Sequence, residues 1–174
     1  MTKNYLISGP SGSGKSTICR ELQRRGYKVI ETDAEPGLSG WIDRKTKEKI
    51  RHPTGKLSKE FLEQYNWDWD RTVLKELLNS KRQDVQFFCG GANNQQEFYS
   101  LFTKKFELLL DDETLVKRLQ ARDPDRWIDS SPDLEQTLRW NTNPKRFTPG
   151  DIIIKTDRTI QEIVDELLEH IAYD

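Results

Sequence analysis

Four residues near the amino terminus have the types and spacing that bind phosphate groups. Gly9, Gly14, Lys15 and Ser16 fill the fixed places of an eight-residue phosphate-loop pattern. Glycine has no Cβ atom and adopts positive φ freely, so the backbone can turn its N–H groups toward a phosphate. The ammonium of Lys15 would reach the β- and γ-phosphates, and the hydroxyl of Ser16 would bind Mg²⁺. The pattern therefore predicts a site for a nucleoside polyphosphate and magnesium.

The segments on either side of this loop can hold it in place. The apolar run at residues 5–7 predicts a strand, and the spacing of Ile18, Cys19 and Leu22 predicts a helix over residues 15–25. The amino end of that helix would add its dipole to the phosphate site. We expect four further loop residues to contact the nucleotide: Ser11, Gly12, Ser13 and Thr17. A flexible glycine-serine turn without a ligand is the alternative, and the adjoining strand and helix disfavour it.

Two carboxylates follow the next apolar run. Glu31 and Asp33 are two residues apart, so in an extended segment they point to the same side. Phosphoryl transfer gives one carboxylate the role of accepting the proton of the attacking hydroxyl. We predict that Asp33 is this base or an anchor for the phosphoryl acceptor, and that Glu31 is the metal-side carboxylate. The alternative is a solvated turn at a strand end.

Strand-like runs alternate with helical spacing along the chain, which predicts an α/β fold with a five-stranded parallel sheet and helices on both faces. The runs are residues 5–7, 27–31, 85–89, 106–110 and 151–155. Asn94 with Glu97 predicts a helix running to about residue 104, and Thr159 with Glu162 predicts a capping box at the start of the last helix. Ligands bind at the carboxyl ends of such strands. The whole chain, residues 1–174, is predicted to be one domain.

About 50 residues separate Asp33 from the third strand, and we predict an acceptor-binding insertion over about residues 35–82. Its first part is expected to be a loop or small hairpin, followed by a short helix at Phe61–Tyr65 and a longer one through Trp69. Trp67 and the neighbouring tryptophans could stack on a planar acceptor such as a nucleobase. Packing in the core is the alternative for each of them. The basic residues of this segment bind an acceptor phosphate or coat a solvated face, and the sequence leaves both open.

Helical spacing over residues 112–122 and 132–140 frames a short polar segment that contains Arg126. Arginines at the ends of two such helices suit a lid, because guanidinium groups neutralise the charge that develops on a transferred phosphoryl group. We predict a lid over about residues 118–140. The alternative is an exposed helical hairpin with surface ion pairs.

Composition excludes several function classes. The formal net charge is -1, which disfavours general binding to nucleic acid. There is no run of about 20 apolar residues and no signal-peptide core, so a cytoplasmic protein without membrane contact is expected. Cys19 and Cys89 lie in apolar patterns and are predicted to be buried thiols. The partners expected are ATP and a small acceptor, with the chain a monomer or homodimer.

Together, residues 9–16 and the strands and helices around them resemble the small P-loop kinases, a superfamily of nucleoside monophosphate, shikimate and gluconate kinases. The resemblance implies a three-layer sandwich with strand order 2-3-1-4-5. Glu31 and Asp33 are similar to the Asp-x-Asp pair of the shikimate and gluconate kinases. The resemblance also implies further roles by position: Gly90 and Gly91 in an acceptor loop, Arg122 stacked on adenine, Arg126 in the lid, and Thr156 and Asp157 in the adenine pocket.

The resemblance implies an ATP-dependent, Mg²⁺-requiring kinase that uses ATP and releases ADP. Because of the aromatic insertion, we favour a nucleoside or nucleotide as the acceptor. A shikimate- or gluconate-like metabolite kinase is the alternative within the enzyme class. A nucleotide-binding switch or slow ATPase is the alternative outside it.

Overall fold

The computed structural model describes residues 2–54, 57–80, 83–123 and 132–172. Its strands, numbered along the chain, are β1 (Lys3–Ser8), β2 (Lys28–Glu31), β3 (Ser39–Asp43), β4 (Lys49–Ile50), β5 (Tyr65–Trp69), β6 (Val85–Cys89), β7 (Lys104–Leu109) and β8 (Ile152–Lys155). Five of them form a parallel sheet in the order β2-β6-β1-β7-β8. Numbered within that sheet the order is 2-3-1-4-5, so the predicted fold class is confirmed.

Helices cover both faces of this sheet. They are α1 (Lys15–Arg24), α2 (Lys59–Gln64), α3 (Arg71–Leu78), α4 (Asp112–Arg122), α5 (Pro132–Thr142) and α6 (Ile160–Glu169). On one face α1 and α6 bury Leu22 and Leu167 against the sheet, and on the other α3 buries Leu74. The predicted capping box is present, since Thr159 accepts from the Glu162 N–H and Glu162 accepts from the Thr159 N–H. None of the described helices is long and apolar enough to span a membrane.

The segment between β2 and β6 contains a second, antiparallel sheet of order β4-β3-β5. The expectation of a loop or small hairpin was therefore too simple. The sequence spacing predicts a helix through Trp69, but in the structure Trp69 is the last residue of β5. The reason is that Asp70 caps α3, accepting hydrogen bonds from the backbone N–H groups of Thr72 and Val73. Tyr65 likewise begins β5 instead of continuing α2.

The helix predicted from Asn94 is also wrong. Residues Gln95–Leu101 form a 3₁₀ helix without a side-chain cap, and β7 already begins at Lys104. The amide of Asn94 is used elsewhere: its Oδ1 accepts from the Trp69 N–H at 2.9 Å, and its Nδ2 donates to the Trp69 carbonyl at 3.0 Å. A side chain held in this way cannot close the first turn of a helix.

The two cysteines are buried as expected, but they are not free thiols. Packing of α1 on β6 brings the Cα atoms of Cys19 and Cys89 to 6.6 Å, and the two side chains form a disulfide. The prediction of two buried thiols was wrong in its chemistry because spacing along the chain does not reveal a pair 70 residues apart.

Candidate active site

The phosphate loop lies between the end of β1 and the start of α1. Gly14 is the N-terminal flanking residue of α1 and has φ of 101°, a left-handed conformation that glycine adopts without steric cost. It provides no side-chain cap. The first N–H groups of α1 therefore remain available to an anion, which is the arrangement that favours phosphate binding.

Lys15 is folded back over this loop. Its Nζ donates to the Gly9 carbonyl at 2.6 Å and to the Pro10 carbonyl at 2.8 Å. Burial lowers the pKa of Lys15 to about 8, against the opposing effect of the nearby Asp33 carboxylate. A phosphate would offer this ammonium a charged partner in place of two neutral carbonyl groups, and charge-assisted hydrogen bonds are the stronger kind.

A cavity of about 540 Å³ opens along the loop and α1, and we call it the loop cavity. Ten residues predicted to be functional line it: Ser11, Gly12, Ser13, Gly14, Lys15, Ser16, Thr17, Asp33, Arg122 and Thr156. Gly9 does not line this cavity. Asp157 lines a different one, beside Asp111 and Lys155.

Sequence reasoning assigned no role to several residues that line the loop cavity. Arg20 adds positive charge, and Ile160 and Ile163 add an apolar wall. Further positive charge comes from Arg118, in the predicted lid region, and from Arg158, which follows the predicted adenine-pocket residues. The Arg118 side chain donates to the Thr156 carbonyl at 2.7 Å, so α4 is held against the segment that follows β8. Spacing offered a signal for Arg118, because it lies one helical turn before Arg122.

A second cavity of about 260 Å³ lies on the other side of Asp33, and we call it the indole cavity. It is lined by Ser8, Gly9, Pro10, Ser11, Lys15, Asp33, Trp67, Gly91, Ala92, Asn93, Gln95 and Trp140. Trp67, Asp33 and Gly91 were predicted to bind an acceptor, whereas Asn93, Gln95 and Trp140 were not singled out. Gly90 supports this wall from behind, because a Cβ atom there would lie 1.8 Å from Thr32 Oγ1.

An outer cavity of about 330 Å³ adjoins the indole cavity and shares four of its residues. Its remaining lining comes from α5 and the residue after it: Gln136, Thr137, Arg139 and Asn143. Arg139 forms an ion pair with Glu135 one turn earlier. Helices α4 and α5 thus flank the site where a lid was predicted, while Arg126 lies outside the described residues.

Asp33 lines both cavities, as Ser11 and Lys15 do. Its carboxylate Oδ1 accepts a hydrogen bond from the Trp67 indole at 3.0 Å. Trp67 is tied in turn to Asn93 by two hydrogen bonds, from the Trp67 N–H to Asn93 Oδ1 at 2.8 Å and from the Asn93 N–H to the Trp67 carbonyl at 2.7 Å. The segment after β2, the small sheet and the loop after β6 therefore meet at one carboxylate.

The residues at the loop cavity fit a nucleotide-bound Mg²⁺. Ser16, whose hydroxyl is a possible Mg²⁺ ligand, lines this cavity. Within the described ranges, no three His, Cys, Asp or Glu side chains are grouped to hold a metal. Such a group is not required, because Mg²⁺ keeps several waters and is held by phosphates and one or two protein ligands. Glu31 lines neither the loop cavity nor the indole cavity, and its metal role stays a prediction.

A group of buried charges lies beneath the site, and sequence patterns gave no sign of it. Lys105 forms ion pairs with Glu107 at 3.2 Å and Asp151 at 2.8 Å. Burial raises the pKa of the Glu107 carboxyl. Arg146 is fully buried and donates to the Leu108 carbonyl at 3.0 Å. The charge of Glu107 raises the pKa of Lys15 and that of Arg146 lowers it, so this group acts on the phosphate loop.

Comparison with known proteins agrees with this geometry. A family model described as an AAA domain matches residues 6–137, more than half of the chain. The chain belongs to the AAA domain family. Shikimate kinases from strains of Francisella tularensis are 25% identical to this chain over 180 residues, covering 95% of it and 93% of their own length. A shikimate kinase from Francisella philomiragia is also 25% identical, over 174 residues and with the same coverage of the two chains.

Solved structures resemble the chain along almost its whole length. A gluconokinase from Sinorhizobium meliloti has a TM-score of 0.59 at 19% identity, with 98% of this chain and 92% of that chain covered. A shikimate kinase from Acinetobacter baumannii in complex with shikimate has a TM-score of 0.60 at 23% identity, with 99% and 94% covered. At these identities the structures show the fold alone. The family match and the curated relatives confirm the predicted small P-loop kinase superfamily and the predicted enzyme class, a small-molecule kinase.

Proposed function

We propose that the protein transfers the γ-phosphoryl group of ATP to a hydroxyl group of a small acceptor bound in the indole cavity. One observation carries this proposal: Lys15 and Asp33 line the loop cavity and the indole cavity together. Side chains that line both cavities can contact both the nucleotide and its acceptor. Arg126 and Asp157 keep their proposed roles in the lid and the adenine pocket.

In the proposed reaction the acceptor oxygen attacks the γ-phosphorus, and the bond from that phosphorus to the β,γ-bridging oxygen breaks. The hydroxyl proton moves to the free oxygen of Asp33 and from there to solvent, and ADP leaves. Lys15 and the loop N–H groups stabilise negative charge on the phosphoryl oxygens. Mg²⁺, held at Ser16, would neutralise charge on the β- and γ-phosphates. Arg118 and Arg122 border the same cavity and add positive charge to it.

For the acceptor we favour a nucleoside or a similar uncharged ring compound with hydroxyl groups. Trp67 and Trp140 both line the indole cavity and offer flat surfaces to a ring. Asn93, Gln136 and Asn143 supply side-chain amides across the indole and outer cavities, and amides pair with the polar edges of nucleobases. In the described lining of the indole cavity, Lys15 is the sole cation. An acceptor carboxylate would thus compete with the γ-phosphate for it.

A shikimate- or gluconate-like acceptor is the second candidate. The curated shikimate kinases, which match 95% of the chain, favour it. The outer cavity would then have to supply a cation for the acceptor carboxylate. Arg139 lines that cavity and would have to leave its ion pair with Glu135.

The test is ADP release with MgATP alone and with adenosine, uridine, AMP, shikimate or gluconate. We expect strong acceleration by a nucleoside and little release without acceptor. Acceleration by shikimate or gluconate alone would overturn the nucleoside assignment while keeping the kinase. ADP release that no hydroxyl compound accelerates, and that Asp33→Asn leaves unchanged, would favour the nucleotide switch instead.

A further inference from the structure

We infer that Trp67 is a positioning residue for Asp33: its indole N–H holds one carboxylate oxygen so that the other faces the acceptor. This inference rests on the proposed function, since it assigns a role in the same transfer. The two residues are 34 positions apart, and their contact joins the small antiparallel sheet to the end of β2.

The contact between them is charge-assisted. The Trp67 Nε1 lies 3.0 Å from Asp33 Oδ1, and among the described residues this is the hydrogen bond that the Asp33 carboxylate makes. Asp33 is otherwise exposed, so without the indole its side chain could rotate between the two cavities. Fixing one oxygen leaves Oδ2 as the acceptor of a proton, and holding a reacting group in one geometry lowers the barrier of the chemical step.

The indole can hold Asp33 because Trp67 is itself fixed. Asn93 binds both the N–H and the carbonyl group of Trp67, as a neighbouring strand would. Asn94 does the same for Trp69. On its other side, Trp67 pairs with Trp41 across β3 and β5. The backbone of Trp67 is therefore held from both edges.

Ring contacts restrict the indole further. The Trp67 ring lies 5.3 Å from the Trp41 ring and 5.9 Å from the His52 ring, both edge to face. Among the residues that the structure describes, the Trp41 indole N–H has no hydrogen-bond partner, and Trp41 is not in the described lining of the three cavities. Trp41 and Trp67 thus provide a matched pair: two neighbouring indoles, one bound to the carboxylate and one not.

Spectra of ¹⁵N-labelled protein test the hydrogen bond without any acceptor. Trp67→Phe and Trp41→Phe each remove one of the five indole N–H signals and so assign them. We expect the Trp67 signal to exchange slowly with solvent and to move clearly in Asp33→Asn, and the Trp41 signal to move less. A Trp67 signal that is unaffected by Asp33→Asn would overturn the inference.

Kinetics test the positioning. With MgATP and the most active acceptor of the panel, or with water where none is active, we expect Trp67→Phe to lower kcat about tenfold or more, the usual effect of losing a hydrogen bond to a charged group. The KM for ATP and the melting temperature should stay close to those of the unmodified protein. Trp41→Phe should lower kcat less than Trp67→Phe does, because it keeps an aromatic ring beside the Trp67 indole and removes no hydrogen bond to Asp33.

A double variant separates positioning from binding. If the indole acts through Asp33, Trp67→Phe should have almost no effect on kcat in the Asp33→Asn background. A raised acceptor KM with unchanged kcat would instead make Trp67 only a binding surface and overturn the inference. Absence of turnover in the unmodified protein would count against the proposed function, and the indole spectra would still decide whether Trp67 holds Asp33.

Discussion

The two sides of Asp33 are built in different ways. Seven of the sixteen residues that line the loop cavity come from one continuous stretch, residues 11–17, placed by a strand and a helix. The indole cavity draws on the phosphate loop, Asp33, β5, the loop after β6, and α5. Hydrogen bonds between distant residues, such as Trp67 to Asn93, bring these segments together. A phosphate site can thus be encoded locally, whereas an acceptor site of this kind depends on tertiary structure.

The loop cavity and the indole cavity also differ in the number of charged residues that line them. Several cations line the loop cavity: Lys15, Arg20, Arg118, Arg122 and Arg158. In the described lining of the indole cavity, Lys15 and Asp33 are the charged residues. A polyphosphate suits the first environment, and an acceptor with little charge suits the second.

The largest effect is expected from Asp33→Asn. Loss of a general base lowers turnover by roughly 10²–10⁴-fold, whereas MgATP binding should change little because the loop N–H groups and Lys15 remain. Acceptor-dependent ADP release and calorimetric titration of ATP measure the two quantities. If ATP affinity and turnover fell by the same factor in Asp33→Asn, Asp33 would act only in nucleotide binding.

Asn93→Ala should have the next largest effect. It removes the Oδ1 that accepts the Trp67 N–H at 2.8 Å, and a lost hydrogen bond of this kind costs roughly 0.5–1.5 kcal/mol. We expect kcat to fall about tenfold through displacement of the indole, with ATP affinity within about twofold of the unmodified protein. Gln96→Ala is a suitable control, since Gln96 is exposed and its amide contacts Lys145 instead. Equal effects of both substitutions would contradict the division between the two sides.

The smallest effect concerns pH. The pKa of Lys15 is lowered to about 8 by burial, so the ammonium loses its proton in the free protein above that pH. Bound phosphate favours the charged form of Lys15, so MgATP binding at pH 8.5 should be accompanied by uptake of a proton. Above this pH the affinity for MgATP should fall by up to about tenfold for each further pH unit. Below pH 7 this group contributes no proton uptake.

Calorimetry in two buffers of different ionisation enthalpy measures this uptake. In the Asp33→Asn variant the proton uptake should begin at a lower pH, because the Asp33 carboxylate that raises the pKa of Lys15 is absent. A binding enthalpy at pH 8.5 that does not depend on the buffer would contradict this assignment.

The same contrast explains what the sequence could predict. The five parallel strands and the phosphate loop follow from apolar runs and a compact motif, and both were correct. Trp69 and Asn94 were misassigned because helical spacing and a cap pattern are local signals, whereas their hydrogen bonds to each other join β5 to the loop after β6. Burial of Arg146, with its bond to the Leu108 carbonyl, has no local signature either.

The central claim is that the loop at residues 9–16 binds the phosphates of ATP. Calorimetric titration of the protein with ATP in the presence of Mg²⁺, repeated with Lys15→Ala, tests it most directly. We expect one ATP to bind per chain and the affinity to fall about 100-fold in the variant, in keeping with the loss of a buried charged contact. Absence of binding in the unmodified protein, or equal affinity in both, would contradict the account.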